Sequence, residues 1–135
     1  MITGHCECGR VRFEVAGEIR DFSHCHCSQC RRLHGAAFAT FAGVARDAFH
    51  YVSGESDLSV YASSKNTERV FCSVCGSNIL VDPAGKTDIV YLSMSAIEGS
   101  PAVPDGYHIY VGSKAAWHDI NDDLPQYDTE PLEQA

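Results

Sequence analysis

All seven cysteines of this chain fall into three tight clusters: Cys6-x-Cys8, Cys25-x-Cys27-x-x-Cys30 and Cys72-x-x-Cys75. A Cys-x-x-Cys pair on a tight turn aims both sulfurs at one point, and a zinc ion accepts them at about 2.3 Å. A fold of this sequence therefore has to bring distant turns together around metal. Disulfides are the competing use, but seven is odd, and residues 1–6 carry neither the basic region nor the apolar stretch of a secretory signal. The expected compartment is a reducing one, the cytoplasm, where metal ligation outcompetes disulfides. At 135 residues the chain can bury roughly two-thirds of its unfolded surface and needs no staples to build a core.

Zinc takes four protein ligands in a closed structural site, and three plus an open position in a catalytic one. Seven cysteines divide naturally into Cys6, Cys8, Cys72 and Cys75 as the closed set and the local cluster Cys25, Cys27 and Cys30 as the open one. Other four-plus-three sets satisfy the same spacings, and a neighbouring histidine can complete the second site. The expected cofactor is two Zn²⁺ per chain, the three-ligand one being the easier to lose on purification. Gly9 and Gly76 directly follow Cys8 and Cys75. Glycine there lets the chain turn so that backbone N–H groups face the thiolates. Competing uses are one zinc with three idle cysteines, an iron–sulfur cluster, or a thioredoxin-like pair at Cys72 and Cys75, which no βαβ pattern supports. His24 and His26 flank Cys25 and, in an extended segment, point away from its sulfur. They are expected to pack or to bond backbone, with a ligand or acid–base role for His26 as the alternative. His5 is expected beside the site rather than in it, and His34, His50, His108 and His118 in structural roles.

Val11, Phe13 and Val15 alternate with Arg12 and Glu14, the period of a half-buried strand. Further short strands are expected over 22–24, 37–42, 49–52, 58–62, 67–72, 79–81, 89–94 and 108–111. One helical turn is expected over 28–34, closed by Gly35. Residues 82–86, Asp-Pro-Ala-Gly-Lys, are a strong turn signal. Strands at about ten-residue spacing predict a mainly β, sheet-based fold. No second domain is visible, so 1–135 is expected to form a single zinc-binding domain. Its core spans roughly 3–127, followed by a polar tail over 128–135, with fraying from Tyr127 onward.

The net charge is −8, from 10 basic and 18 acidic residues. Such a chain repels phosphate backbones and anionic lipid surfaces, which argues against nucleic-acid and membrane partners. No apolar run approaches the ~18 residues of a membrane span.

An open three-thiolate zinc narrows the chemistry. Three thiolates and Zn²⁺ sum to −1, a weaker Lewis acid than zinc on three neutral histidines, so hydrolysis is not its natural reaction. A soft site suits exchange of a fourth sulfur ligand. An incoming thiol would lose its proton there, stay nucleophilic and add to an aldehyde carbon. The reverse step cleaves the carbon–sulfur bond of a hemithioacetal.

Three segments resemble the signatures of one family: 4–13 (Gly-His-Cys-Glu-Cys-Gly-Arg-Val-Arg-Phe), 24–32 (His-Cys-His-Cys-Ser-Gln-Cys-Arg-Arg) followed by Gly35, and 71–77 (Phe-Cys-Ser-Val-Cys-Gly-Ser). His108-Ile109-Tyr110-Val111, Trp117 and Leu124-Pro125 resemble its C-terminal end. The family is that of the glutathione-dependent formaldehyde-activating enzymes and centromere protein V, and the likeness covers roughly 3–127. It implies a β-tent, small antiparallel sheets leaning together over zinc. It also implies a structural zinc on Cys6, Cys8, Cys72 and Cys75, a second zinc on Cys25, Cys27 and Cys30, and carbon–sulfur lyase activity. The implied substrate is an adduct of a small thiol with an aldehyde, such as S-hydroxymethylglutathione from glutathione and formaldehyde. Glutathione has two carboxylates, for which Arg31, Arg32 and Lys65 are the candidate partners. Two other readings use the same residues. One is a zinc-stabilised binding module without chemistry, presenting aromatics such as Tyr107 or Tyr110. The other is a sensor that releases zinc from Cys25, Cys27 and Cys30 on oxidation.

Overall fold

The computed structural model describes residues 1–83 and 88–131. Ten strands are present among them: β1 (Ile2–His5), β2 (Arg12–Val15), β3 (Asp21–Cys25), β4 (Ala39–Ala45), β5 (Phe49–Ser53), β6 (Leu58–Ser64), β7 (Thr67–Cys72), β8 (Asn78–Asp82), β9 (Ile89–Ser93) and β10 (Tyr107–Ile109). The one α-helix among the described residues, α1 (Ser28–His34), lies between β3 and β4. The protein is mainly β, as the strand spacing predicts.

The strands form two sheets, one ordered β1-β2-β5 and one ordered β10-β3-β4-β9-β8-β7-β6. Every pairing is antiparallel except that of β10 with β3. The large sheet has two differently used faces, because alternate residues of a strand point to opposite sides. One cross-strand row runs Ala42, Leu92, Leu80, Val70. These residues pack with Phe13 and Val15 of the small sheet in the main core. The neighbouring row runs Gly43, Tyr91, Val81, Arg69 on the opposite face. Cys25, Cys30, Phe41, Tyr91 and Val81 pack together there. A one-residue slip of any strand would exchange the faces, so burial of Phe13 against Leu92 and Val44 also fixes where the second cysteine cluster lies.

Helix α1 forms where local signals place it. Cys27 is its N-cap and accepts the Cys30 N–H, and Gly35 closes it in the left-handed region (φ 59°). Strand β1 was not expected from the sequence; its pairing with β2 is tertiary, and an added Cβ on Gly4 would lie 2.2 Å from the Phe13 ring. The expected fraying from Tyr127 is corrected. Val111, Gly112 and Tyr110 donate their N–H groups to the carbonyls of Tyr127, Asp128 and Thr129. Of the turn expected over 82–86, residues 84–86 lie outside the described residues, as do 132–135 of the tail. No helix among the described residues is long and apolar enough to cross a membrane.

His34, in the last turn of α1, meets the Phe41 ring edge-on at 5.5 Å. Its Nε2 is buried without a hydrogen-bond partner. Burial lowers its pKa from 6.5 to about 4. The unfolded chain therefore binds the extra proton first, so this contribution to stability is complete above pH 6.5 and is lost as the pH falls toward 4. A tenfold change in proton affinity is worth about 1.4 kcal/mol, so the loss between pH 7.5 and 5 is expected to be roughly 2 kcal/mol. Urea unfolding of the zinc-loaded protein and of His34→Phe at both pH values checks this. The variant should lose about that much less stability, and an identical loss in both proteins refutes the assignment.

Candidate metal centres and the cavity beside them

Two groups of sulfurs converge among the described residues: Cys6, Cys8, Cys72 and Cys75, and Cys25, Cys27 and Cys30. Within each group every Sγ lies within 4.8 Å of the others. The partition read from spacing is therefore the one the fold brings together.

The first group is built from two turns. Cys6 follows β1, and its sulfur accepts the Val11 N–H at 3.3 Å. Cys72 ends β7, with its N–H on the Ser77 carbonyl. Gly9 and Gly76, at φ 82° and 81°, turn the chain just past Cys8 and Cys75 and donate to the carbonyls of Cys6 and Cys72. The Glu7 N–H bonds the Ser77 hydroxyl at 2.9 Å and joins the two turns. Cys6 and Cys72 are buried, whereas Cys8 lies at the surface. The Cys6–Cys8 and Cys8–Cys72 sulfur separations are 3.5 and 3.8 Å. A tetrahedron with ~2.3 Å spokes has edges of about 3.8 Å, so these two separations match the edges of a zinc site. The Ser77 hydroxyl beside Cys75 lowers that thiol to about 5, which suits a ligand that must be deprotonated.

The second group comes from one segment. Cys25 ends β3, Cys27 caps α1 with its sulfur 3.2 Å from the Cys30 N–H, and Cys30 lies in the first helical turn. Hydrogen bonds from Cys25 and Cys30 lower Cys27 to about 2, while hydrogen bonding to Cys27 and Cys30 raises Cys25. Crowded sulfurs thus favour one thiolate sharing its neighbours' protons. A divalent cation at their centre would relieve that crowding, and three soft donors with no fourth among the described residues fit an open zinc site.

The sequence reading missed Arg69. It is buried at 7% exposure in β7. Its guanidinium donates to Cys30 Sγ from both terminal nitrogens at 3.5 Å, to Gln29 Oε1 at 3.1 Å and to Ser63 Oγ at 3.3 Å. Arg31, Arg32 and Lys65, the expected cations, are absent from the described cavity wall. Arg31 donates instead to the His26 carbonyl. Only the strand register places Arg69 over Cys30, and nothing in its local sequence marks it.

His24 and His26 point away from Cys25, as an extended segment requires. His26 is fully buried, its Nε2 2.8 Å from His108 Nδ1, and His108 Nε2 is 3.0 Å from the Asp122 carboxylate. His24 is within 2.8 Å of the Thr40 hydroxyl. Neither reaches the sulfurs. Tyr107 and Tyr110, read as possible exposed aromatics, are half-buried instead. They line a cavity of about 480 Å³ that opens onto Cys25, Cys27 and Cys30. Asp21, Tyr91 and Glu130 line it as well. Tyr107 donates its hydroxyl to Asp21 at 2.8 Å. Tyr110 sits in the left-handed region at φ 57°, the only described non-glycine residue to do so. Such strain concentrates at functional sites. Burial raises the Tyr110 hydroxyl, with Glu130 adding to it. Desolvation, then the facing Asp21 and Cys27, raises Glu130. The period-2 pattern of β3 could have placed Asp21 and Ser23 on the Cys25 face. Glu130 arrives only through the return of the chain after β10.

A protein-family model described as glutathione-dependent formaldehyde-activating enzyme matches residues 1–113. A Halomonas elongata protein provisionally given that same name is 30% identical, over 89% of this chain and 81% of its own length. A Schizosaccharomyces pombe protein named an uncharacterized lyase is 32% identical over 56% of this chain, and this chain spans 53% of its length. The crystal structure of a Rhodobacter sphaeroides protein matches with a TM-score of 0.61 at 25% identity, covering 73% of this chain and 89% of the other.

Proposed function

Because the chain belongs to the glutathione-dependent formaldehyde-activating enzyme family, we propose that it is a zinc-dependent lyase of the carbon–sulfur type. Its substrate on this reading is an adduct of a small thiol with an aldehyde, such as S-hydroxymethylglutathione. Cys6, Cys8, Cys72 and Cys75 hold a structural zinc, and Cys25, Cys27 and Cys30 hold the zinc of the reacting site. The observation that carries this reading is that three convergent sulfurs, with no fourth ligand among the described residues, lie on the wall of a substrate-sized cavity. Zinc there would supply the positive charge that keeps a substrate sulfur deprotonated at neutral pH.

Cleavage breaks the carbon–sulfur bond, leaves its electron pair on sulfur and converts the hydroxymethyl group to formaldehyde as its hydroxyl proton departs. Synthesis runs the same steps backwards. The chain's part is to hold the adduct and to take up or return that proton. Glu130, whose proton is held more tightly than usual and which shares a hydrogen bond with Tyr110, is placed to do so at the cavity rim. Arg69, on Cys30, fixes that sulfur and offsets part of the thiolate charge.

The test is the rate of interconversion between formaldehyde, glutathione and their adduct, read by exchange NMR with zinc-loaded protein. The parent should speed the exchange above the spontaneous rate, and folded Cys27→Ser should not. Equal rates in both proteins would reject the reading.

A further inference from the structure

Building on the lyase reading, we propose that the cavity beside Cys25, Cys27 and Cys30 selects a thiol bearing an ammonium group, seated between the Asp21 and Glu130 carboxylates and the rings of Tyr91, Tyr107 and Tyr110. A purely anionic thiol is held most strongly by a cation with free donors, backbone N–H groups being the weaker partners. Among the described lining residues the one arginine or lysine is Arg69, and its guanidinium is committed to Cys30, Gln29 and Ser63. The carboxylates of Asp21 and Glu130 and the side chains of Tyr91, Tyr107 and Tyr110 are among the groups that line the cavity. Carboxylates attract an ammonium directly, and aromatic faces attract it through their quadrupoles. Asp21 is held in place by the Tyr107 hydroxyl at 2.8 Å, so its carboxylate needs little reordering to receive a ligand. The overall charge of −8 acts in the same direction, drawing cations and repelling carboxylates.

Glutathione itself carries an ammonium group as well as two carboxylates, so the proposal concerns which end of a thiol is read. Cobalt-substituted protein titrated with cysteamine, 2-mercaptoethanol and 3-mercaptopropionate tests it, through the visible absorption of the metal at the three-cysteine site. Thiol acidity differs among these probes but cancels when the cysteamine to mercaptopropionate affinity ratio is compared between parent and variant. Asp21→Asn should lower that ratio by about tenfold, and raising the ionic strength should lower it in the parent. Glu130→Gln, at the exposed rim, serves as a second variant if Asp21→Asn does not fold. A ratio unchanged in the variant, or a parent that binds mercaptopropionate more tightly than cysteamine, overturns the selection of an ammonium group. If none of the three thiols alters the absorption, the open-site reading falls and this inference with it.

Discussion

Cys72→Ser is expected to abolish cooperative folding of the zinc-loaded chain. Cys72 is fully buried, belongs to the main core together with Cys6, and ends the strand that carries Arg69 and Val70. Structural zinc contributes about 10–16 kcal/mol in small metal-folded domains, whereas a whole domain is stable by only about 5–15 kcal/mol. Losing one of four thiolates, and burying a hydroxyl in its place, therefore removes a contribution of the same size as the net stability. Far-UV circular dichroism on heating and zinc analysis check this: no unfolding transition and at most one zinc per chain. Cys27→Ser makes the contrast, because Cys27 is only partly buried at a cavity wall. It should unfold near the parent temperature with one zinc missing. A Cys72→Ser protein with the parent's transition and two zincs refutes the structural assignment of the four-cysteine group.

Gly54→Ala is expected to cost about 3 kcal/mol or more, well beyond an ordinary glycine replacement. Gly54 has φ 82°, and an added Cβ would lie 2.2 Å from the Arg10 carbonyl oxygen and 2.7 Å from Val11 Cα. Those atoms are backbone and cannot rotate away. They belong to the loop that bonds back onto Cys6, where the Cys6 N–H meets the Val11 carbonyl at 3.0 Å. The clash should therefore also weaken zinc binding at the first group. Gly35 is the control: its φ is 59°, but nothing lies within 4 Å of an added Cβ. Gly35→Ala meets only the left-handed strain, about 1 kcal/mol. Urea unfolding of both zinc-loaded variants separates the two effects, and equal losses would contradict the close-approach argument.

Features governed by neighbours in sequence were legible before any coordinates. Helix α1 needs only the Cys27 cap, the following residues and Gly35. β7 runs over Thr67–Cys72, the bounds read from the sequence. The turns after Cys8 and Cys75 need only glycine's freedom at positive φ, and both glycines use it. Strand β1 was missed because Thr3, Gly4 and His5 lack a strand signature, and only the Phe13 ring filling the space beside Gly4 makes glycine suitable there. The parallel pairing of β10 with β3, and the return that bonds Tyr127 and Asp128 to Val111 and Gly112, join segments whose local sequence says nothing of each other.

The candidate site divides along the same line. Thiolate chemistry and the short spacing of the ligands leave few geometries open, so the sequence by itself pointed to a mainly β chain with metal-ligating cysteine clusters, and the fold chose among the four-plus-three partitions by bringing Cys6, Cys8, Cys72 and Cys75 together. The tertiary structure alone decided what faces the second group. Arg69 reaches Cys30 because β7, β8 and β9 pair in one register, with the opposite face buried against Phe13 and Val15. Asp21 and Glu130 line one cavity because the segment after β10 returns alongside it. The physical reason is that metal ligation is encoded by residue type and short spacing, whereas the charge and shape of a cavity are sums over side chains from separate strands. Those sums exist only once the hydrophobic core has fixed how the strands align.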